Sequence, residues 1–389
     1  MRKPGRLPPT RVVSLAVFAA ALDSYLVPPM LLAIAADFDR SLSGVAAVAA
    51  LYSFAYGLMQ LGWGLVSNRL GRLGAVRVGL AIGAVATFTA AFAGDLTLLL
   101  VLRAIAGAAF AAVAPSTITF IGDHVEPSRR AATLSDLVAV YSAGVAAGIL
   151  CGGLASDLAT WRVGFLASAA MAALALATQL RYARDPVRER QSPRAYAASI
   201  SRCLRSTWPR AVALLALVEG AALIGFLTFF PAALEDSGVS RRLAGLVVAL
   251  YGVAIALGSR PIRRLVTGWP AGRIMALGLL LGALSLAVAA VSQTPVAIGC
   301  AAVLLAAGFA LAHPLLQAWA TEVSTRDRAT TVALFATGLF VGTAITTQVA
   351  APFVSRFGFG WTFAFGGVLA AGLALTVAAT RARYERAAA

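Results

Sequence analysis

Apolar residues occupy this chain in long, nearly unbroken stretches that are separated by short polar intervals. Most of the stretches have about 20 residues, which is the length that an α-helix needs to cross the hydrocarbon core of a bilayer. The pattern predicts twelve membrane-spanning helices, numbered here as spans 1 to 12, over residues 12–35, 43–67, 75–94, 96–122, 132–156, 161–181, 208–233, 242–265, 271–291, 295–320, 329–352 and 358–380.

Three short motifs recur in the same order in the two halves of the chain. Residues 50–52, Ala-Leu-Tyr, return as residues 249–251, and residues 107–115 and 161–165 resemble 306–314 and 361–365. Such a repeat is the trace of a duplication, and in transporters it places the binding cavity between the repeats near the bilayer midplane. We therefore predict an all-α membrane protein with two pseudo-symmetric six-helix bundles, over residues 1–185 and 208–389, and a linker at 186–207.

Composition and charge agree with this prediction. The chain is 60% hydrophobic and 12% charged, with a mean hydropathy of +0.84, so the bilayer is its solvent. Most of the 32 basic residues lie in the loops on one side of the predicted topology, which indicates that this side and both termini are cytoplasmic. This distribution accounts for the net charge of +16, and no nucleic-acid partner is expected. We expect the linker to be a simple connection between the bundles or to lie along anionic lipid headgroups, and the two possibilities are compatible.

The segment 62–77 carries the most specific motif of the chain. It resembles the cytoplasmic loop signature of the major facilitator superfamily, Gly-x-Leu-Ala-Asp-Arg-x-Gly-Arg-Lys, at Gly64, Arg69, Gly71 and Arg72. The resemblance implies a multi-pass secondary transporter and a gating role for this loop, which favours the outward-facing state. Asn68 stands where the family has Asp, so we expect that state to be less firmly locked.

Two ionisable residues lie within the first bundle, where each costs about 2.5–3.5 kcal/mol on insertion scales. Asp23 of span 1 precedes an Ile-Ala-Ala-Asp segment at 34–37, a spacing similar to that of the drug:proton antiporters, and Pro28-Pro29 is expected to break the helix between them. The resemblance implies proton coupling by Asp23, and a fixed ion pair is the alternative. Arg103 of span 4 resembles the family's Arg-x-x-x-Gly motif, and it could pair with Asp23 or bind an anionic substrate group.

The second bundle offers an acidic counterpart. The repeat aligns Glu219 of span 7 with a residue one helical turn from Asp23, which suggests coupling or cation binding, or else a polar packing contact. His313 and Gln317 share a face of span 10 because they are one turn apart. The complete set of predicted cavity residues is Asp23, Tyr25, Gln60, Arg103, Tyr141, Glu219, His313 and Gln317, of which Asp23, Arg103 and Glu219 are the predicted coupling residues.

Span 5 carries glycines at intervals of four residues, namely Gly144, Gly148 and Gly152, followed by Gly153. The run resembles the antiporter motif Gly-x-x-x-Gly-Pro-x-x-Gly-Gly, with Ile149 in place of the proline. Small residues at this spacing also let helices pack closely in any membrane protein, so the motif predicts a helix-packing face.

Other chemistry is disfavoured by what the sequence lacks. Lys3 is the only lysine, so the chain has no nucleotide-binding P-loop. Two histidines and three scattered cysteines give no metal signature, no cofactor is predicted, and no cluster of nucleophile and base suggests an enzyme. We predict a monomeric, proton-coupled exporter of small amphipathic compounds in a bacterial-type inner membrane. A transporter of a polar metabolite such as a sugar or organic anion is the alternative, and a membrane sensor or scaffold without flux is a third reading.

Overall fold

The computed structural model describes residues 8–158, 160–182, 192–265 and 268–388. All regular secondary structure in these ranges is helical. The long helical stretches that can cross a membrane are Thr10–Asp37, Leu42–Leu70, Arg72–Ala90, Leu96–His124, Pro127–Leu158, Trp161–Leu180, Thr207–Asp236, Arg241–Leu265, Ala271–Val291, Pro295–Glu322 and Arg328–Ala388. These ranges agree with the predicted spans to within a few residues.

The last stretch contains two spans. It has 61 residues, and a continuous helix of that length would measure about 90 Å, roughly three times the hydrocarbon core. Gly358 interrupts it with φ 80° and ψ 171°, a conformation that is nearly exclusive to glycine. Residues 328–357 and 359–388 therefore form spans 11 and 12, and the structure contains the twelve predicted helices.

An additional helix, Pro193–Arg205, precedes span 7 in the predicted linker and is named here the linker helix. We call the membrane side that carries it the linker side. The start of span 11 and the end of span 12 also lie there. Arg202 of the linker helix binds Asp327, which directly precedes span 11, and the ring of Trp208 packs at 5.1 Å on that of Tyr384 near the end of span 12. Residues 186–191 of the predicted linker lie outside the described residues, and the division into bundles over 1–185 and 208–389 stays a prediction.

Two spans depart from regular α-helix. A 3₁₀ turn at Pro28–Met30 interrupts span 1, at the position where the two prolines predict a break. A π-helical turn at Gly220–Ile224 interrupts span 7, and the carbonyl of Gly220 accepts a hydrogen bond from Thr343 at 3.3 Å. Irregular backbone in a membrane is tolerated only where it is buried in protein or lines a cavity, so these breaks mark the interior.

The glycines of span 5 let its backbone approach span 1. A Cβ atom at Gly144 would lie 2.6 Å from the carbonyl oxygen of Phe18, and Cβ atoms at Gly148 and Gly152 would collide with the carbonyls of Leu22 and Leu26. The three contacts advance by one helical turn on both helices. Span 1 is therefore held tightly against span 5, and this fixes the position of Asp23.

The two halves meet through spans 5 and 8 and through spans 2 and 11. At the end of span 5 away from the linker side, a Cβ atom at Gly153 would lie 2.9 Å from the Cα atom of Gly245 on span 8. On span 2, the carbonyl of Gly57 accepts a hydrogen bond from Thr337 of span 11 at 2.9 Å. These contacts enclose a cavity between the halves.

Candidate functional site

Asp23 and Arg103 form an ion pair in the interior of the first half. Nη1 of Arg103 donates to Oδ2 of Asp23 at 2.9 Å, and Nη2 donates to the Asp23 carbonyl at 3.3 Å. The side chains are 0% and 1% exposed. The structure thus places Arg103 against Asp23, the carboxylate that the sequence analysis named as its possible partner.

Hydroxyl groups complete the environment of the Asp23 carboxylate. Thr87 of span 3 and Ser168 of span 6 both donate to Oδ1 at 2.9 Å. Both carboxylate oxygens are therefore hydrogen bonded, by side chains from three different spans.

Arg103 stands between Asp23 and the cavity. Its guanidinium carbon lies 4.2 Å from the ring centroid of Tyr52 and 5.3 Å from that of Phe165, within cation–π distance of both. Arg103 lines the cavity together with Tyr52, whereas Asp23 does not. Nε of Arg103 has no hydrogen-bond partner among the described residues.

The cavity lies between the halves and is small in this conformation. Its volume is about 40 Å³, which is room for about three water molecules. Drug-sized ligands occupy pockets of roughly 300–1,000 Å³, so a substrate enters only after the halves separate. The first half contributes Ser24, Tyr25, Val27, Pro28, Ala49, Tyr52, Ser53, Arg103 and Ile149 to the lining, and the second half contributes Ile224, Leu227, Thr228, Val248, Phe340 and Thr343.

Tyr25 and Tyr52 of the first half line this cavity, and further aromatic residues meet at the boundary between the halves. The ring of Tyr25 stacks at 6.5 Å on that of Tyr251, and Tyr25 also interacts with Tyr141 of span 5. The Tyr52 hydroxyl shares a hydrogen bond of 2.9 Å with Ser24. The ring of Tyr56 lies 4.2 Å from that of Phe340. The boundary between the halves is thus aromatic with hydroxyl groups, a surface that suits amphipathic molecules.

Glu219 pairs with His313 in the second half. Nδ1 of His313 lies 3.2 Å from Oε2 of Glu219, and the other carboxylate oxygen has no partner among the described residues. Glu219 is fully buried, while the His313 side chain is 18% exposed and stacks on Phe309 at 4.4 Å. The sequence placed both residues in the cavity but did not predict that they form a pair.

The two pairs occupy equivalent helices. Asp23 and Arg103 lie on spans 1 and 4, and Glu219 and His313 lie on spans 7 and 10, which the repeat matches to spans 1 and 4. Arginine stays protonated in proteins, whereas histidine titrates near neutral pH. The basic partner is thus an arginine in the first pair and a histidine, which is charged only when it is protonated, in the second.

Of the predicted cavity residues, Tyr25 and Arg103 line the cavity, whereas Glu219, His313 and the remaining ones lie away from the lining. Gln60 is buried on span 2, where it interacts with Tyr56. Gln317 is half-buried one turn beyond His313. Tyr141 is half-buried and reaches the cavity only through Tyr25.

The loop between spans 2 and 3 has a defined geometry. Gly71 has φ 78°, which favours glycine, and Arg69 is exposed. Nη1 of Arg72 donates to Oδ1 of Asn68 at 2.8 Å, and Nε of Arg72 lies 4.0 Å from the carboxylate of Asp123 on span 4. Asn68 thus accepts a hydrogen bond from Arg72 without supplying a charge.

The linker helix contacts both halves. The hydroxyl of Tyr196 donates to the carbonyl of Leu61 on span 2 at 3.0 Å and lies against Gly64. Arg202 binds Asp327 with two hydrogen bonds of 2.6 and 3.0 Å, and Ser199 donates to the same carboxylate at 2.6 Å. The hydrogen bonds from Arg202 lower the pKa of Asp327 to about 2, so this contact stays charged at physiological pH.

Sequence reasoning missed several of these groups. Thr87 and Ser168 are isolated hydroxyl residues in apolar spans, and no motif marks them. Tyr52 and Tyr251 are different, because they are the tyrosines of the repeated Ala-Leu-Tyr motif. Tyr52 lines the cavity and Tyr251 stacks on Tyr25, which also lines it, so the repeat itself carried the signal.

Twelve membrane-spanning helices, with a cavity between two halves and charged pairs inside both, define an integral membrane transporter. The chain belongs to the Major Facilitator Superfamily, which matches residues 13–240 and 212–388. The family resemblance at the loop 62–77 is therefore confirmed. This is a family of transporters and not of enzymes.

Three curated relatives share segments of the sequence. The chain is 32% identical over 142 residues to a triacylglyceride transporter of Mycolicibacterium smegmatis (strain ATCC 700084 / mc(2)155), a match that covers 36% of this chain and 25% of that protein. It is 30% identical over 166 residues to the puromycin resistance protein pur8 of Streptomyces alboniger, over 42% and 33% of the two chains. It is also 30% identical over 156 residues to the multidrug efflux pump LfrA of the same Mycolicibacterium strain, over 40% and 31%. The matches thus span a quarter to a third of each relative.

Solved structures resemble the whole chain in fold. A mutant of the nucleoside transporter NupG superposes with a TM-score of 0.80 at 14% identity, covering 95% of this chain and 99% of that one. A mutant of the peptide transporter POT gives 0.79 at 16% identity, covering 97% and 95%. At these identities the similarity describes the fold alone.

Proposed function

We propose that this protein exports small amphipathic compounds in exchange for protons by alternating access. The observation that carries the proposal is the Glu219–His313 pair, which joins a fully buried carboxylate to a partly exposed imidazole inside the second half. The tyrosine-rich lining suits amphipathic substrates. Similarity to an efflux pump and to a resistance protein supports export as the direction.

Glu219 is the first candidate for the transported proton. Its carboxylate is fully buried and has one oxygen without a partner among the described residues, so the surrounding structure satisfies it incompletely. A buried carboxylate in that state is costly, and proton uptake removes the charge. His313 is partly exposed and lies against Glu219, so it offers a route by which a proton can reach the buried carboxylate. Protonation of Glu219 would weaken its attraction to His313 and loosen spans 7 and 10.

Asp23 has a different part in this proposal. Its carboxylate is held by Arg103, Thr87 and Ser168, so it takes a proton only in a conformation in which Arg103 withdraws. Arg103 borders the cavity, and a substrate that binds it would supply the force for that withdrawal. Asp23 and Arg103 thus respond to substrate, while Glu219 responds to pH.

Alternating access requires contacts that break on one side while others form. Spans 5 and 8 touch near Gly153 and Gly245, and Arg241 of span 8 donates to the carbonyl of Ser156 at 3.3 Å. On the linker side the linker helix joins the halves. We assign the linker side to the cytoplasm because Lys and Arg are retained there, and the opposite side to the exterior. The protein is proposed to act as a monomer in a bacterial-type inner membrane.

The proposal is tested in energised inverted vesicles with a pH-sensitive dye and a panel of cationic, neutral and anionic amphipathic compounds. The wild type is expected to release protons on addition of some compound, and Glu219→Gln is expected to abolish that response. Glu322→Gln is the matched control, because Glu322 is on span 10 but about half exposed at its end, where it binds Arg381. It should retain the response.

Two outcomes contradict the proposal. One is a proton response in Glu219→Gln equal to that of the wild type. The other is no response to any compound in vesicles where a known antiporter responds to the same panel.

A further inference from the structure

The charges at the cavity are arranged asymmetrically. Among the described residues that line it there is one cation, Arg103, and no carboxylate. Asp23 lies behind Arg103, fully buried, with both oxygens hydrogen bonded. The Asp23–Arg103 pair therefore presents its positive end to the space between the halves.

Arg103 also has an unused donor. The two Nη atoms donate to Asp23, whereas Nε has no hydrogen-bond partner among the described residues, although the side chain is 1% exposed. A buried donor without an acceptor costs about as much as a lost hydrogen bond, and the cost is larger for a charged group. An acceptor atom that reached the guanidinium once the halves separate would remove that cost.

The other polar side chains of the lining are hydroxyl residues, which can donate and accept hydrogen bonds. Ser24, Tyr25 and Tyr52 belong to the first half, and Thr228 and Thr343 belong to the second. Among the lining residues that the structure describes, none supplies the carboxylate that a cationic drug would need to replace its hydration. A cation here would face the guanidinium before it met Asp23.

From this arrangement we propose that the substrates are neutral or anionic amphiphiles whose acceptor oxygen, a carboxylate or a carbonyl, binds the guanidinium of Arg103 beside the ring of Tyr52. Organic cations are rejected. The inference rests on the proposed export function, since it names the class of compound that the same cavity takes. It makes Arg103 the residue that determines specificity, through the charge that it presents.

The test compares three probes of one shape: 1-naphthaleneacetate, its neutral amide, and 2-(1-naphthyl)ethylammonium. Binding is measured by naphthalene fluorescence with the protein in nanodiscs of zwitterionic lipid, and empty nanodiscs are the blank. A charge-assisted hydrogen bond predicts that the carboxylate binds about 10- to 100-fold more tightly than the ammonium, with the amide between them. Equal or tighter binding of the ammonium overturns the proposal, and so does failure of all three probes to bind.

Variants separate this inference from proton coupling. Asp23→Asn combined with Arg103→Gln removes the pair without leaving a buried charge, and it should abolish the preference for the carboxylate. A preference that survives in a folded double variant overturns the assignment to Arg103. The ranking in the wild type decides the substrate class even if that variant does not fold. Glu219→Gln should keep the ranking while it loses proton release, so the two proposals fail in different measurements.

Discussion

The buried position of the Asp23–Arg103 pair predicts a large loss of stability when one partner alone is neutralised. In Asp23→Asn the guanidinium of Arg103 stays 1% exposed without its counter-charge. Breaking a buried ion pair in this way costs about 3–5 kcal/mol, because the remaining charge is uncompensated. We therefore expect Asp23→Asn to lower the free energy of unfolding by that amount.

The chain offers a matched control for this prediction. Asp37 and Arg162 pair at 3.0 Å, nearly the same distance as the 2.9 Å of Asp23 and Arg103, but their side chains are 42% and 32% exposed. Exposed pairs contribute about 0.2–1 kcal/mol, so Asp37→Asn should cost no more than that. Both carboxylates also accept hydrogen bonds from uncharged side chains, Asp23 from Thr87 and Ser168 and Asp37 from Trp161, so the main difference between the two experiments is burial.

The free energies are measured by titration with SDS in mixed micelles, with tryptophan fluorescence as the signal. The double variant Asp23→Asn with Arg103→Gln should recover most of the loss, since it leaves no charge inside the bundle. The reasoning is refuted if Asp23→Asn and Asp37→Asn cost the same, or if the double variant is less stable than Asp23→Asn alone.

Two further predictions concern the linker helix and the turn between spans 11 and 12. Asp327→Asn should release the linker helix, so the buried thiol of Cys203 should react with maleimide roughly fivefold faster, which is equivalent to about 1 kcal/mol. The exposed thiol of Cys300 should react at an unchanged rate. An unchanged reaction rate of Cys203 would count against the contact. Gly358→Ala should destabilise the protein by about 1–3 kcal/mol in the same SDS titration, because its φ of 80° is strained for any residue with a Cβ atom. Gly372→Ala, which meets no atom within 4 Å, should be neutral or slightly stabilising, and equal effects of the two changes would contradict this explanation.

The helices were predictable because each span has to satisfy the bilayer by itself. Length and apolarity located all twelve, and the prolines at 28 and 29 located the break in span 1. The final stretch of 61 helical residues is an example. Its helical hydrogen bonding is nearly continuous, but the pattern of apolar residues in the sequence divides it into spans 11 and 12.

The candidate site was less predictable, because its geometry depends on which faces of separate helices meet. Charges inside spans are rare enough that Asp23, Arg103 and Glu219 stood out singly. That Asp23 would face into its own bundle, with Arg103 between it and the cavity, depends on helix rotation, which the sequence does not encode locally. The partners Thr87 and Ser168 carried no signal, since single hydroxyl residues also occur on packing faces.

The glycine run of span 5 was predictable as a packing face but not in its partners. Gly144, Gly148 and Gly152 contact span 1 within the first half, whereas Gly153 contacts span 8 of the second. One motif therefore serves two interfaces. Gly152 and Gly153 are neighbours in sequence, but Gly152 packs within the first half and Gly153 packs between the halves.

The presence of a pair on equivalent helices of each half suggests how the duplicated halves diverged. The paired residues do not occupy matched positions. The repeat aligns Arg103 with Ala302, about three helical turns from His313, and Asp23 with Ala222, about one turn from Glu219. Each half therefore formed its own pair from different positions of matched helices, with arginine as the basic partner in one and histidine in the other. On the proposed mechanism, replacing His313 by arginine would leave both halves with a basic partner that keeps its proton, and such a protein is expected to keep its fold and lose proton exchange.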